Sequence, residues 1–338
     1  MKNQQEFLKI IEDYIERDVF PGVNFAIIEG EKVNEYLLGN SAIYPKTIKL
    51  TQGKKWDLAS LTKVVGTGTA VINLVLAGKL EIDAPLQKYY SKFTDRSVSL
   101  RQLLTHTSGI DPFIKNRDKL NAKELTEAIN QIKITDNKTF KYTDINFILL
   151  GFLLEEYYGE SLDKIFYKQV FEDWKMTDTS FGPVENAVPT SQNIPVGTVH
   201  DPKAQVLKNH CGSAGLFSTM SDLILFSQAY FQEEKYLKLT KNYADGDKKR
   251  SLAWDLLGPN DDWLLHTGYT GTFLLINPRI KKAVVFLSNR VHLKDNREKW
   301  IEERDFLIKF LISHLTLNLS TTNYFETTLY TNFSFRRK

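Results

Sequence analysis

Residues 57–77 read DLASLTKVVGTGTAVINLVLA, and the fold and chemistry of the chain turn on this stretch. From Leu61 to Ala77 the only charge is Lys63, while Val64, Val65, Ala70, Val71, Ile72, Leu74, Val75 and Leu76 leave almost no polar face. A helix that is apolar all round lies inside a core, so the segment predicts a buried central helix carrying one amine. Ser60 precedes that amine by one helical turn, which sets hydroxyl and amine on the same face. A serine hydroxyl is inert until a neighbouring base takes its proton. A buried ammonium must either lose its proton or find partners, and the free N–H groups at a helix start favour a developing oxyanion. The pair therefore predicts a nucleophile and its partner, against the plainer reading of Ser60 as a helix cap beside a lysine that snorkels to water. Spacing alone does not choose between them. Ser161-Leu162-Asp163-Lys164 has the same spacing, but it lies beside Glu160 on an amphipathic, solvent-facing helix.

On the N-terminal side, Phe7, Ile10, Ile11, Tyr14 and Ile15 recur at helical spacing. After Pro21-Gly22, two β-rich runs, 23–28 and 32–38, flank Glu29-Gly30-Glu31 in a hairpin pattern. On the other side, residues 80–235 alternate polar loops with amphipathic segments at 125–132, 147–158, 162–171 and 222–230. From Ser251 onward the texture changes to short runs at 252–256, 263–266, 272–276 and 283–287, the last two joined by a turn at Asn277-Pro278-Arg279. A charged helix over 297–315 follows. Strands near both chain ends with helices between them predict an α+β fold: one antiparallel sheet flanked by helices, with a mostly helical subdomain inserted. The expected division is 1–58 with 248–315 for the sheet subdomain and 59–247 for the helical one, a cleft between them, and a tail over 316–338 rich in Thr, Asn and aromatics.

Across 338 residues, 44 Lys and Arg against 41 Asp and Glu are spread without a dense basic run, so nothing points to nucleic acid. A small molecule is the expected partner. Cys211 is the only cysteine, which excludes an internal disulfide and a cysteine-based zinc site. His106, His200 and Asp201 lack metal-ligand spacing, so no metal or other cofactor is expected and each is read as a hydrogen-bonding structural residue. The first helix lacks the apolar core of a signal peptide, and no apolar stretch is read as long enough to span a membrane; together these predict a cytoplasmic protein without a membrane span.

Three motifs occur in order: Asp57-Leu58-Ala59-Ser60-Leu61-Thr62-Lys63, then Tyr142-Thr143-Asp144 leading into 145–151, then His266-Thr267-Gly268. The segments 103–109 and 212–219 add a matching texture that looks structural. With them the chain resembles the serine β-lactamase and penicillin-binding-protein superfamily, on the branch of class C β-lactamases, D,D-peptidases and family VIII esterases, whose Ser-x-x-Lys signature is well known. The resemblance implies a β-lactamase/transpeptidase-like fold and an acyl-enzyme on Ser60. Lys63 and Tyr142 would move its proton, and the N–H groups of Ser60 and Tyr269 would hold the oxyanion. It further implies substrate alignment along Thr267 and Gly268, with glycine allowing close approach.

Two positions depart from the pattern. Asp144 stands where many relatives carry a neutral Asn, favouring a charged Lys63 and leaving more of the base's work to Tyr142. His266 stands where many carry a lysine, which removes a fixed positive charge from the substrate-binding wall; a facing Asp144 would raise the imidazole pKa and restore part of it. The implied function is a serine hydrolase acting on a small ester, amide or D-amino-acid peptide. A D,D-carboxypeptidase or weak β-lactamase is the alternative within the class. Outside it stands a non-catalytic binder of penicillin or cell-wall peptides, which would not require Ser60, Lys63 and Tyr142 together. A rival nucleophile, Ser213 in Cys211-Gly212-Ser213-Ala214-Gly215, lacks the first glycine and the preceding strand of a hydrolase elbow.

Overall fold

In the first strand of the structure, residues 22–29, Val23, Phe25 and Ile27 enter one apolar core while Ala26 and Ile28 enter another. A strand buried on both faces lies inside a layered sheet, and the rest of the chain supplies the layers. The computed structural model describes residues 2–246 and 248–317; the tail expected from 316 onward lies, beyond residue 317, outside the described residues.

In chain order the regular elements are α1 (Lys2–Glu16), β1 (Gly22–Glu29), β2 (Lys32–Ala42), β3 (Ile48–Lys49), β4 (Trp56–Asp57), α2 (Thr69–Leu76), α3 (Leu100–Thr105), α4 (Ala122–Asn130), α5 (Ile145–Tyr158) and α6 (Leu162–Phe166). They continue as β5 (Ser180–Phe181), α7 (Pro202–Leu207), β6 (Leu216–Ser218), α8 (Met220–Gln232), β7 (Asp255–Leu257), β8 (Trp263–Thr267), β9 (Phe273–Asn277), β10 (Lys282–Ser288) and α9 (Arg297–Leu317). The main sheet has seven strands in the order β3-β2-β1-β10-β9-β8-β7, with every pairing antiparallel. It is built from both chain ends, as the strand pattern requires. α1 and α9 cover one face through Phe7, Ile11, Trp300, Leu307 and Leu311, while α8 packs against the other and shares its core with α2 and α5. Within the inserted stretch, α3 and α4 each begin with a capping box, Ser99 with Gln102 and Asn121 with Glu124, which satisfies the orphan N–H groups of the first turn.

Four sequence expectations change. The run 252–256 becomes a strand only at Asp255–Leu257, because Ser251 N–H donates to Trp254 O at 2.9 Å in a turn with Ala253 at φ +69°. A second sheet of three short strands, β4-β6-β5, escaped the sequence because strands of two or three residues carry no periodicity. The central helix is not uniform: a 3₁₀ turn at Ala59–Leu61 is followed by a π-helical stretch at Lys63–Gly68, and regular α-helix begins only at Thr69. Thr69 Oγ1 donates to Val64 O at 2.6 Å and so ties the widened turn together. Such π turns occur often at functional sites. Residues Ala59–Leu76 are by length and composition apolar enough to cross a membrane, which corrects the expectation that no stretch reaches that length; here 78% of the segment is buried inside the fold, the pattern of a core helix.

Candidate active site

Ser60 is presented by a strained turn with an identifiable support. Ala59 adopts φ +46°, a left-handed conformation that non-glycine residues avoid. The Asp57 carboxylate accepts from Ala59 N–H at 2.8 Å and from His200 N–H at 2.7 Å, holding that turn against the 200 loop. Burial pushes the Asp57 carboxyl up to about 6 despite these bonds. One turn on, Lys63 is fully buried. Its ammonium donates to Ser60 Oγ at 2.9 Å, Asp144 Oδ1 at 2.7 Å and Ser213 O at 3.0 Å, so each of its N–H donors has a partner. Burial opposes the charge on Lys63, but Asp144 and then Tyr142 override it and hold the amine well above its ordinary range. The buried amine has found partners and keeps its proton. Ser60 thus receives a hydrogen bond from a charged Lys63, which has no room for a further proton.

The Tyr142-Thr143-Asp144 segment rests on His106. This residue caps α3 in the left-handed conformation, φ +58°, and is fully buried. Its carbonyl accepts from Lys141 N–H at 2.9 Å, and its Nδ1 faces Thr143 N–H at 3.5 Å and Asn146 Nδ2 at 2.8 Å. Because Asn146 Oδ1 takes the Ser108 hydroxyl at 2.7 Å, its amide is the donor to His106 Nδ1, which places the imidazole proton on Nε2. The His106 and Tyr142 rings lie 4.5 Å apart between centroids, and Lys63 Nζ sits 5.2 Å from the centroid of Tyr142. Tyr142 is 45% exposed, so it is open to a ligand. Asp144 ends the motif at the start of α5. Burial raises the cost of its charge, yet Lys63 and Lys203 prevail and hold the carboxyl well below the usual carboxylate range.

The opposite wall is β8. Trp263 and Leu265 enter the α1/α9 core and Leu264 the other core, so alternation carries His266 to the helical side and Thr267 toward α9. The Thr267 hydroxyl lies 3.5 Å from Arg304 Nη1 on α9. Pairing with β7 stops at Leu265, so His266 and Thr267 are laddered on the β9 side only. That leaves room for an extended ligand to add as a strand. Beyond Thr267, Gly268 N–H donates to Thr272 O at 2.7 Å, Thr272 Oγ1 to Leu58 O at 3.3 Å and Thr270 Oγ1 to Asp57 O at 2.8 Å. These bonds staple the turn carrying Tyr269 to the segment carrying Ser60.

Several sequence readings are refined here. A Cβ on Gly268 would meet Thr272 Oγ1 at 2.1 Å and Leu58 O at 2.7 Å, so the protein's own packing already requires this glycine. His266 is not raised by Asp144. Burial first, then Lys63 and Arg250, push its imidazole down to about 3, and Asp255 only partly offsets them. Asp144 has its charge engaged by two lysines instead. Ser161 stands at the N-cap position of α6 without a capping side-chain bond, with Lys164 exposed, while Ser213 has a buried side chain and offers its carbonyl to Lys63. Gly212 lets that loop close on α5, since a Cβ there would meet Phe147 O at 2.2 Å. His200 stacks on Tyr269 at 5.3 Å, and Asp201 caps α7 through Ala204 N–H at 3.0 Å. Among the described residues no cluster of His, Cys, Asp or Glu could hold a metal.

Sequence reasoning missed Thr270, Thr272 and Lys203. The alternating hydroxyls of Thr270-Gly271-Thr272 just past the third motif were a legible sign of a side chain-to-backbone staple. Lys203 offered only the helix-start pattern Asp201-Pro202 before it.

The Beta-lactamase family model matches residues 7–307. A relative from Escherichia coli O157:H7, named "Putative D-alanyl-D-alanine carboxypeptidase", is 27% identical over 345 residues, covering 81% of this chain and 79% of that protein. A solved class C beta-lactamase superposes with a TM-score of 0.76 at 19% identity, over 95% of this chain and 98% of that one. A beta-lactamase/D-alanine carboxypeptidase from Pseudomonas syringae gives 0.74 at 15% identity, over 93% and 99%.

Proposed function

The chain belongs to the Beta-lactamase family, and from that premise we propose a serine hydrolase that forms an acyl-enzyme on Ser60 with a small ester, amide or D-amino-acid peptide. The observation that carries the reading is the triple engagement of the Lys63 ammonium, with Ser60 Oγ at 2.9 Å as one acceptor. A charged Lys63 favours negative charge developing on the serine oxygen but cannot take its proton, so the Tyr142 phenol relays it, accepting the serine proton as its own hydroxyl proton passes to the leaving-group atom. Attack on the acyl carbon gives a tetrahedral oxyanion, which the N–H groups of Ser60 and Tyr269 stabilise. Collapse of the oxyanion expels the leaving group protonated through Tyr142, and water then releases the acyl group by the same relay reversed.

A second reading, D,D-carboxypeptidase, is favoured by Arg304. With His266 neutral, the Arg304 guanidinium, which binds Asp305 Oδ1 through Nη2 at 2.7 Å and Nε at 3.0 Å, keeps Nη1, 3.5 Å from the Thr267 hydroxyl, as the donor for a substrate carboxylate at the end of β8. The name of the E. coli relative points the same way.

One experiment tests both readings. Intact protein and Ser60→Ala are labelled with a fluorophosphonate and a fluorescent penicillin, and hydrolysis of a short-chain p-nitrophenyl ester and of an acyl-D-alanyl-D-alanine is measured. Covalent label on the intact protein alone, with a loss in ester turnover of about a thousandfold or more, is expected. Turnover retained by Ser60→Ala would refute the nucleophile. Preference for the dipeptide over the neutral ester would select the carboxypeptidase reading.

A further inference from the structure

Asp144 belongs to a four-membered charge network rather than to a pair. Its Oδ1 faces Lys63 Nζ at 2.7 Å and its Oδ2 faces Lys203 Nζ at 3.0 Å. Lys203 stands on the first turn of α7 with its side chain only 12% exposed, and its ammonium lies 3.2 Å from Asp201 Oδ2. The other Asp201 oxygen accepts from Ala204 N–H at 3.0 Å, so the cap of α7 also fixes the partner of Lys203. Two ammonium groups and two carboxylates therefore sit in one network at the base of the cleft, and they balance.

We propose that Lys203 is a positioning residue for the Ser60 chemistry: it is the counter-charge that a carboxylate at position 144 requires, and by holding Asp144 Oδ2 it keeps Asp144 Oδ1 on Lys63 and Lys63 on Ser60. The inference rests on the reading of Ser60 and Lys63 given above. A neutral side chain at 144 would need no such cation. Asp144 has two acceptor oxygens, and Lys63 has one hydrogen bond to give it, because its other donors serve Ser60 and Ser213. Without Lys203, Oδ2 would be left as a partly buried negative charge with no partner of its own. The carboxylate would then turn to draw more of the Lys63 ammonium to itself and away from Ser60. Conversely, with Asn at 144, Lys203 would stand as a cation facing Lys63 with no anion between them. The identities at 144 and 203 are coupled, and their effects depend on each other.

The test is a double-mutant cycle on the full chain, reading kcat and KM for a neutral p-nitrophenyl ester together with the thermal midpoint of each variant. In the wild-type background, Lys203→Met lowers kcat about tenfold or more while KM moves less than about threefold, and Lys203→Arg, which keeps the charge, recovers part of the loss. In the Asp144→Asn background the sign changes: Lys203→Met leaves kcat level or raises it. If Lys203→Met costs the same factor in both backgrounds, or Arg is no better than Met, Lys203 merely supports α7 and the proposal is overturned. Should the single Lys203→Met variant fail to fold, the Asp144→Asn/Lys203→Met protein decides: the proposal requires it to fold and turn over, and its failure beside a sound Asp144→Asn protein overturns the proposal. Turnover surviving in Ser60→Ala would instead strike the underlying nucleophile assignment, a distinct result.

Discussion

His266 gives the most quantitative test of the site's electrostatics. The side chain is 3% exposed, and neither ring nitrogen has a hydrogen-bond partner among the described residues. Burial, Lys63 and Arg250 hold its pKa at about 3 against an ordinary 6.5. Charging the ring in the fold is therefore disfavoured by roughly 3.5 pH units, on the order of 5 kcal/mol at about 1.36 kcal/mol per unit. The sign follows from linkage. A base whose folded pKa is depressed binds fewer protons when folded than when unfolded, so its stabilising contribution is full above the unfolded value of 6.5 and falls away as pH drops toward about 3. At about pH 4.5, two units below the unfolded pKa, His266 alone has removed roughly 3 kcal/mol.

The perturbation is His266→Leu, which fills similar space and removes both unpaired nitrogens. The assay is urea unfolding from about pH 7.5 to about pH 4.5, comparing the change in stability of the two proteins. Other groups titrate here too. His106 is held well below its ordinary pKa, mainly by burial, and acts in the same direction. Asp57, raised to about 6 by burial, acts oppositely: its folded form gains protons first, so it adds stability as pH falls from about 6 toward 3.8. Both remain in the variant, so their own contributions largely cancel in the difference, which reports His266 together with its lesser effect on His106. Wild type should lose roughly 3 kcal/mol more than His266→Leu over that range. Parallel losses would refute the account of a neutral, buried imidazole. The same reasoning speaks against restoring a lysine at 266, since an ammonium there meets the same burial and the same two cations.

Tyr142→Phe should lower kcat about a hundredfold or more while KM changes only a few-fold, because the phenolic oxygen moves protons and the ring keeps its place against His106; steady-state kinetics on the ester decide this, and equal turnover would remove Tyr142 from the mechanism. Gly268→Ala must displace either Thr272 Oγ1 or Leu58 O and so shift the Tyr269 turn relative to Ser60, and kcat should fall about a hundredfold in a protein that still folds. Retention of full turnover in Gly268→Ala would show that the staple does not set the oxyanion site.

What the sequence made legible depends on how far apart the deciding partners lie. Ser60 and Lys63 share one turn, and their environment is written in the apolar residues around them, so both the buried helix and the hydroxyl–amine pair could be read directly. The strands of the main sheet were legible as short β-rich runs bounded by turn residues, as in 23–28 before Glu29-Gly30-Glu31, although β1 is buried on both faces and shows no alternation. The π turn after Lys63 was not, because it depends on Thr69 reaching back to Val64 and on the strained turn at Ala59, neither of which alters hydrophobic periodicity.

The charge states were the hardest to read, and His266 shows why. Pairing it with Asp144 alone predicts a raised pKa. In the fold, Lys63 and Lys203 already engage that carboxylate, while Lys63 and Arg250 act on the imidazole together with burial. A pairwise inference errs in sign when the named partner has its charge satisfied elsewhere. Lys203 was invisible for the same reason, since its role exists only once loops from distant parts of the chain bring Asp144 and Asp201 to one ammonium. The motif therefore brings Ser60, Lys63 and Asp144 together, whereas their protonation is a property of the whole charge network.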